Sequence, residues 1–218
     1  MAYLYPAEGY LGLFIVLMIT VSFLRVFAAE RRRKRENEEK DTYKDFPGHS
    51  RLNYPDGIVR VTAGHGGEVL LILGEEKTAL YDCGMAYCHD RLIKNIEEQL
   101  RKAGREEIDL ILLSHTHYDH IGALPYILKK WPEAQVCGAA KAEKVFKSQG
   151  AKATMKKLGE AARDLYSSGR EPILTEGMRV DRAVGEGDRI ETGKGQYFYV
   201  LETKGHTDCS LTYVWEPA

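Results

Sequence analysis

The stretch SHTHYDHIG, residues 114–122, places three histidines and one aspartate within six consecutive positions, directly after the run IDLILL at residues 108–113. That run has strand length and is apolar but for Asp109, so it predicts a strand buried on both faces. In an extended segment leaving such a strand, His115 and His117 point the same way and can share one ion. A break in the extended path at Asp119 would turn Asp119 and His120 toward a second ion. Imidazole suits zinc and iron, and carboxylate admits manganese. A His and Asp cluster without cysteine therefore indicates a hydrolytic or redox metal centre rather than a closed structural zinc site. The competing reading, polar residues scattered in a surface loop, fits poorly with a chain that has only seven histidines in all.

Two weaker features bear on the same site. LYDCG, residues 80–84, ends a strand with Asp82 and a glycine, and GHTDCS, residues 205–210, presents His206 just after an apolar run. The four cysteines, Cys83, Cys88, Cys137 and Cys209, form no CxxC pair and are too few for a disulfide framework. They read as free thiols in a reducing compartment, with Cys83 and Cys209 as small buried space-fillers rather than ligands. His49, His65 and His89 read as packing or solvent histidines.

From residue 57 onward short β-rich runs alternate with turn residues, predicting strands at 58–62, 69–73 and 79–81. Residues 89–103 place Leu92, Ile93, Ile96, Leu100 and Ala103 on one helical face, and Gly104 supplies a stop. A helix is expected after the histidine cluster, to about Lys130, and two more within 139–168. In the latter of these Met155, Leu158, Ala162 and Leu165 form one apolar stripe that reads as core. Strands return at 178–184, 189–192, 197–203 and 211–215. Helices mixed with strands in this order imply a layered α/β or α+β domain.

The N-terminus has a different character. Residues 11–24 (LGLFIVLMITVSFL) carry no charge, and extension to residue 29 admits only Arg25. At about 1.5 Å per residue a helix of this length matches a hydrocarbon core of about 30 Å. A cleaved secretory signal needs a positive segment before the apolar run, whereas here the basic block, Arg31 to Arg35, follows it. Residues 1–29 thus read as a membrane anchor, residues 30–56 as a charged juxtamembrane linker, and the positive-inside rule puts residues 57–218 on the cytoplasmic side. A net charge of -1 gives no overall field that would recruit nucleic acid.

Over residues 57–215 the chain resembles the metallo-β-lactamase-fold superfamily of hydrolases. The likeness is carried by HxHxDH at residues 115–120, by YDCG at 81–84 and by GHTDCS. It implies an α+β fold, a four-layered αββα sandwich with a two-metal site at one edge of the paired sheets. It implies that His115, His117 and His206 hold the first metal and that Asp119 and His120 contribute to the second. Asp82 would orient the cluster through hydrogen bonds. Two divalent ions are implied, zinc first, with manganese or iron as alternatives. Their chemistry would be hydrolysis of an ester, thioester, amide or phosphodiester by an acidified water. Asp119 would be the catalytic residue that positions this water and handles its proton. The oxygen-reducing diiron relatives have a glutamate where this chain has His117, which argues against redox chemistry.

The family supplies two further ligands after the GHT histidine, a bridging aspartate beyond the next strand and a final histidine. Here LTYVWEPA, residues 211–218, contains neither, and Asp208 lies inside the loop. The expectation is therefore an N-terminal part of a longer protein, with the second half of the sandwich incomplete. Lys141, Lys144, Lys147, Lys152, Lys156 and Lys157 read as a solvated helix face, with attraction of an anionic substrate as the alternative. A small-molecule substrate is favoured over nucleic acid. The competing function is a catalytically inactive membrane-tethered module with at most one metal site.

Overall fold

The computed structural model describes residues 54–216. The expected anchor at residues 1–29 and nearly all of the charged linker lie outside them. Among the described residues no helix is long and apolar enough to cross a membrane.

Six strands form one sheet in sequence order: β1 (Ile58–Arg60), β2 (Leu70–Leu73), β3 (Thr78–Tyr81), β4 (Leu110–Leu112), β5 (Gln135–Gly138) and β6 (Arg182–Ala183). The first three pair antiparallel and the last four parallel. Parallel neighbours need crossovers, and the helices supply them: α1 (His89–Lys102) before β4; α2 (Tyr118–Ile121) and α3 (Leu124–Lys130) before β5; α4 (Ala140–Lys147) and α5 (Gln149–Tyr166) before β6. A second, antiparallel sheet contains β7 (Arg189–Gly193), β8 (Gln196–Glu202) and β9 (Leu211–Glu216).

Strand alternation assigns the central sheet to two cores. Leu71, Leu80, Ile111 and Val136 pack with Leu92, Ile96 and Leu100 of α1 and with Leu124 and Ile127. Their neighbours Ile72, Ala79, Leu110, Leu112 and Cys137 face the other way, onto Ile190, Phe198, Val200 and Leu211 of the smaller sheet. All of β4 is buried, as a strand covered on both faces requires. The described residues thus build helices, sheet and sheet; no helix follows β6 among them, so the fourth layer of the expected sandwich is not represented.

Helix α1 ends as its sequence predicts. Gly104 takes φ +67°, Arg105 N–H donates to Leu100 O at 2.8 Å and Gly104 N–H to Arg101 O at 3.1 Å, a Schellman closure that needs a left-handed residue.

Other expectations are corrected. The apolar stripe of α5 is only half core: Met155 and Ala162 are buried, but Leu158 is 41% and Leu165 67% exposed. The buried arc is Met155, Gly159 and Ala162. Gly159 packs so closely on Ile173 that a Cβ there would meet Cγ2 at 3.0 Å. At about 100° per residue this centres the face on Met155 and leaves the two leucines about 60–80° off, at its rim. The expected strand at 178–184 shrinks to the two residues of β6. Strand β5 was not anticipated at all; its short QVCG sequence carries little β signal and is held by pairing with β4.

Candidate metal centre

The site forms where β3 and β4 end together. Past β3, Asp82 N–H continues the ladder to Leu112 O at 2.9 Å, and the backbone then turns through the left-handed region at φ +55°. Asp82 is the only non-glycine residue with positive φ among those described, a conformation that costs on the order of 1–3 kcal/mol and persists only where surroundings enforce it. The enforcement is visible in its fully buried carboxylate. Oδ1 accepts from Ser114 N–H at 2.8 Å, and Oδ2 accepts from Ser114 Oγ at 2.6 Å and from His120 Nδ1 at 2.8 Å.

These contacts determine tautomers. Ser114 has one hydroxyl proton and gives it to Asp82, so towards His115 Nδ1, 2.9 Å away, its Oγ is the acceptor. His115 therefore carries its proton on Nδ1 and a bare lone pair on Nε2. That Nε2 is buried and has no hydrogen-bond partner. An orphaned acceptor of this kind is expensive unless something else, such as a cation, satisfies it. Burial first, and then the charges of His120, His117 and His206, push the His115 pKa down to about 4, against a smaller opposing effect of Asp119. The ring is thus a neutral ligand at physiological pH. His120 is directed in the same manner, with Nδ1 on Asp82 and Nε2 left 3.7 Å from Asp119 Oδ2. Burial disfavours its charged form, but the hydrogen bond and charge of Asp82 and the charge of Asp119 outweigh that and raise its pKa. The Asp82 carboxyl is raised by burial, against the hydrogen bonds from His120 and Ser114.

His117 is the N-cap residue of α2, so the extended path breaks at Tyr118, one residue earlier than expected, and the helix carries Asp119 and His120, whose ring centroid lies 4.1 Å from that of His115. His206 arrives from the loop between β8 and β9. Leu211 N–H, at the start of β9, donates to Ser114 O at 2.8 Å and fastens that loop to the end of β4. The ligand atoms of His115, His117 and His206 all lie within 4.8 Å of one another, with His206 Nε2 3.0 Å from His117 Nδ1. A tetrahedral zinc with bonds of about 2.0–2.1 Å would set its nitrogens about 3.3–3.4 Å apart, so a small adjustment admits the ion. The three imidazoles fit a divalent metal by spacing, and His115 fits it by tautomer and charge state as well.

Of the residues named from the sequence, His115, His117 and His206 bring their ligand atoms together; His120 packs its ring 4.1 Å from that of His115 and bonds Asp82, and Asp119 lies 3.7 Å from His120 Nε2. Asp208 does not join: it is exposed and paired with Lys141. The four cysteines are buried free thiols; Cys209 Sγ lies 3.4 Å from Thr116 Oγ1 and 3.3 Å from Thr207 Oγ1, between the two histidine-bearing segments. His89 stacks on Tyr126 at 3.7 Å and His65 on Tyr166 at 4.5 Å, both as packing groups.

Sequence reasoning missed Ser114 and the role of the Gly66-Gly67 turn. Ser114 is flagged only by its place between the strand and His115. Gly67 donates its N–H to Asp119 O at 3.0 Å, and a Cβ on it would stand 2.8 Å from His120 Nδ1.

Comparison with known proteins agrees with this geometry. Residues 63–216 match the family described as the metallo-beta-lactamase superfamily. Among curated proteins, coenzyme F420H(2) oxidase of Methanocaldococcus jannaschii is 40% identical over 67 residues, 30% of this chain and 16% of the oxidase. Hydroxyacylglutathione hydrolase of Aliivibrio fischeri is 29% identical over 107 residues, 49% of this chain and 29% of the hydrolase. A subclass B3 metallo-beta-lactamase of Bradyrhizobium japonicum superposes with a TM-score of 0.54 at 25% identity, over 75% of this chain and 55% of that one. The chain therefore spans less than a third of these curated relatives and about half of the lactamase. With the α+β fold and the histidine cluster at the sheet edge, the match over residues 63–216 establishes that the chain belongs to the metallo-β-lactamase superfamily.

Proposed function

We propose that the protein is a metal-dependent hydrolase of a small ester or thioester, using zinc. The observation that carries this reading is the bare, buried Nε2 of His115 converging with His117 and His206. His115, His117 and His206 would hold one ion, and Asp119 with His120 would hold or position a second. Bound divalent ions supply an acidified water and polarise the scissile carbonyl oxygen. Asp119 Oδ2 then orients the attacking water and accepts its proton. Asp82 and Ser114 keep His115 and His120 in the tautomers that leave Nε2 free. His117 supports hydrolysis over oxygen reduction, because an imidazole stands where the oxygen-reducing diiron relatives have a carboxylate.

A second reading has its own support: the three histidines alone form a ligand cluster of three among the described residues. A chain that binds one ion and hydrolyses nothing would fit that. The same proposal keeps residues 1–29 as a membrane tether with the metal centre cytoplasmic, for which retention in carbonate-washed membranes is the measurement. Hydrolysis of a panel of acyl thioesters and aryl esters by the zinc-loaded chain, compared with His115→Ala and His117→Ala, tests the catalytic reading. Activity lost in both variants supports it, and activity retained in both ends it.

A further inference from the structure

The third histidine of the cluster is held differently from the first two. His115 is buried just past β4, with Ser114 against its ring, and His117 follows two residues on, at the start of α2. His206 instead sits in the loop between β8 and β9, where residues 202–206 are all exposed. A Cβ on Gly205 would meet nothing within 4 Å, so packing does not fix the chain on its way into His206. Burial begins only at Cys209, 5% exposed, and continues through Ser210 and Leu211. The position of His206 is therefore decided by how the far side of its loop is fastened.

Cys209 is the point where this loop meets the segment that carries the other two ligands. Its Sγ lies 3.4 Å from Thr116 Oγ1 and 3.3 Å from Thr207 Oγ1. Thr116 stands between His115 and His117 in the chain, and Thr207 follows His206 directly. The thiol thus joins a hydroxyl flanked by two ligands to a hydroxyl next to the third. The Thr207 end is braced in turn: its Oγ1 lies 2.8 Å from Ser210 Oγ, and its N–H donates to the same Ser210 Oγ at 3.2 Å.

The other fastenings of the loop do less to place His206. Leu211 N–H, which donates to Ser114 O, is five residues away along the chain. Asp208 pairs with Lys141, but both side chains are exposed, and such pairs contribute little. The contact between His206 and His117 belongs to the cluster itself. Cys209 is not among the residues whose ligand atoms converge, so it acts on a metal only through the histidines.

We propose that Cys209 is a positioning residue of the metal centre: its thiol, set between Thr116 and Thr207, fixes the distance at which His206 meets His115 and His117. The inference rests on the reading of His206 as a zinc ligand, and it gives Cys209 a role beyond filling space.

Its test is a double-mutant cycle on zinc affinity in the full chain, measured by competition with chromophoric chelators on wild type, Cys209→Ala, His206→Ala and the double variant. Loss of such a supporting contact is expected to weaken zinc binding about tenfold in Cys209→Ala. Added to His206→Ala, the same substitution is expected to cost less than about twofold, because no third imidazole is left to position. A loss below about threefold in Cys209→Ala, or a loss as large in the His206→Ala background as in wild type, would overturn the role. Wild-type affinity in His206→Ala alone would overturn the three-histidine centre and this inference with it, whereas a weakened His206→Ala beside an unaffected Cys209→Ala removes the inference only. If Cys209→Ala does not fold, Thr116→Val, which removes the hydroxyl that Sγ meets, is taken through the same cycle: a loss confined to the background with His206 supports the bridge, and an equal loss in both backgrounds overturns it.

Discussion

Replacing Ser114 by alanine removes the atom that bridges Asp82 and His115. In the folded protein Ser114 Oγ donates to Asp82 Oδ2 at 2.6 Å and accepts from His115 Nδ1 at 2.9 Å, with all three residues buried. The bond to the carboxylate is charge-assisted and contributes about 1.5–3 kcal/mol, and the Nδ1–H left without an acceptor costs about 1–3 kcal/mol more. Relaxation of the His115 ring recovers part of this, so Ser114→Ala is expected to lose about 2–4 kcal/mol of stability in the metal-free protein. The larger consequence is chemical. Without the serine acceptor nothing holds the His115 proton on Nδ1, and loss of such a supporting contact costs about 10–100-fold in metal affinity. Urea unfolding of the metal-free chain measures the first effect, and zinc competition against a chromophoric chelator the second. Ser114→Thr retains the hydroxyl and should restore most of both. Zinc affinity unchanged in Ser114→Ala would refute the tautomer argument, whatever the stability change.

Gly67→Ala would place a Cβ 2.9 Å from the Asp119 carbonyl oxygen and 2.8 Å from His120 Nδ1, and backbone gives little. A loss of about 1–3 kcal/mol in chemical unfolding is expected, with a wild-type-like result showing that the turn moves freely. In the metal-free protein, His115 should titrate near pH 4 and His120 above 6.5, resolved as separate midpoints by histidine NMR. The signs are opposite: the His115 contribution to stability is present above about pH 6.5 and lost as pH falls toward 4, whereas that of His120 is present below 6.5 and lost as pH rises through its elevated pKa. Met155→Ala should cost about 2 kcal/mol or more by unfolding, because its side chain is core, while Leu165→Ser should stay within about 0.5 kcal/mol. Equal costs at the two positions would contradict the observed face of α5.

The sequence and the structure agree where one segment carries its own signal. IDLILL is apolar but for Asp109, and its Leu110–Leu112 become a strand with Ile111 in one core and Leu110 and Leu112 in the other. The α1 face and its glycine stop are local in the same sense. Strand β5 is not local: QVCG becomes extended because β4 offers it a parallel edge, and no periodicity within four residues could announce that. The orientation of α5 is decided by Ile173, a residue distant in sequence, packing on Gly159. At the metal centre the ligand types were legible because histidines are few and densely spaced. The supporting atoms were not, since a serine beside a histidine and a glycine in a turn are common, and their meaning lies in contacts such as that between Ser114 and Asp82, 32 residues apart.

The central claim is that His115, His117 and His206 hold one divalent ion through nitrogens already directed at it. Its most direct test is a crystal of the zinc-loaded chain measured on both sides of the zinc absorption edge. The account predicts an anomalous peak about 2.0–2.1 Å from a nitrogen of each of the three rings, with Nε2 as the His115 ligand. Zinc bound elsewhere with this cluster empty, or coordinated by His115 through Nδ1, would contradict it.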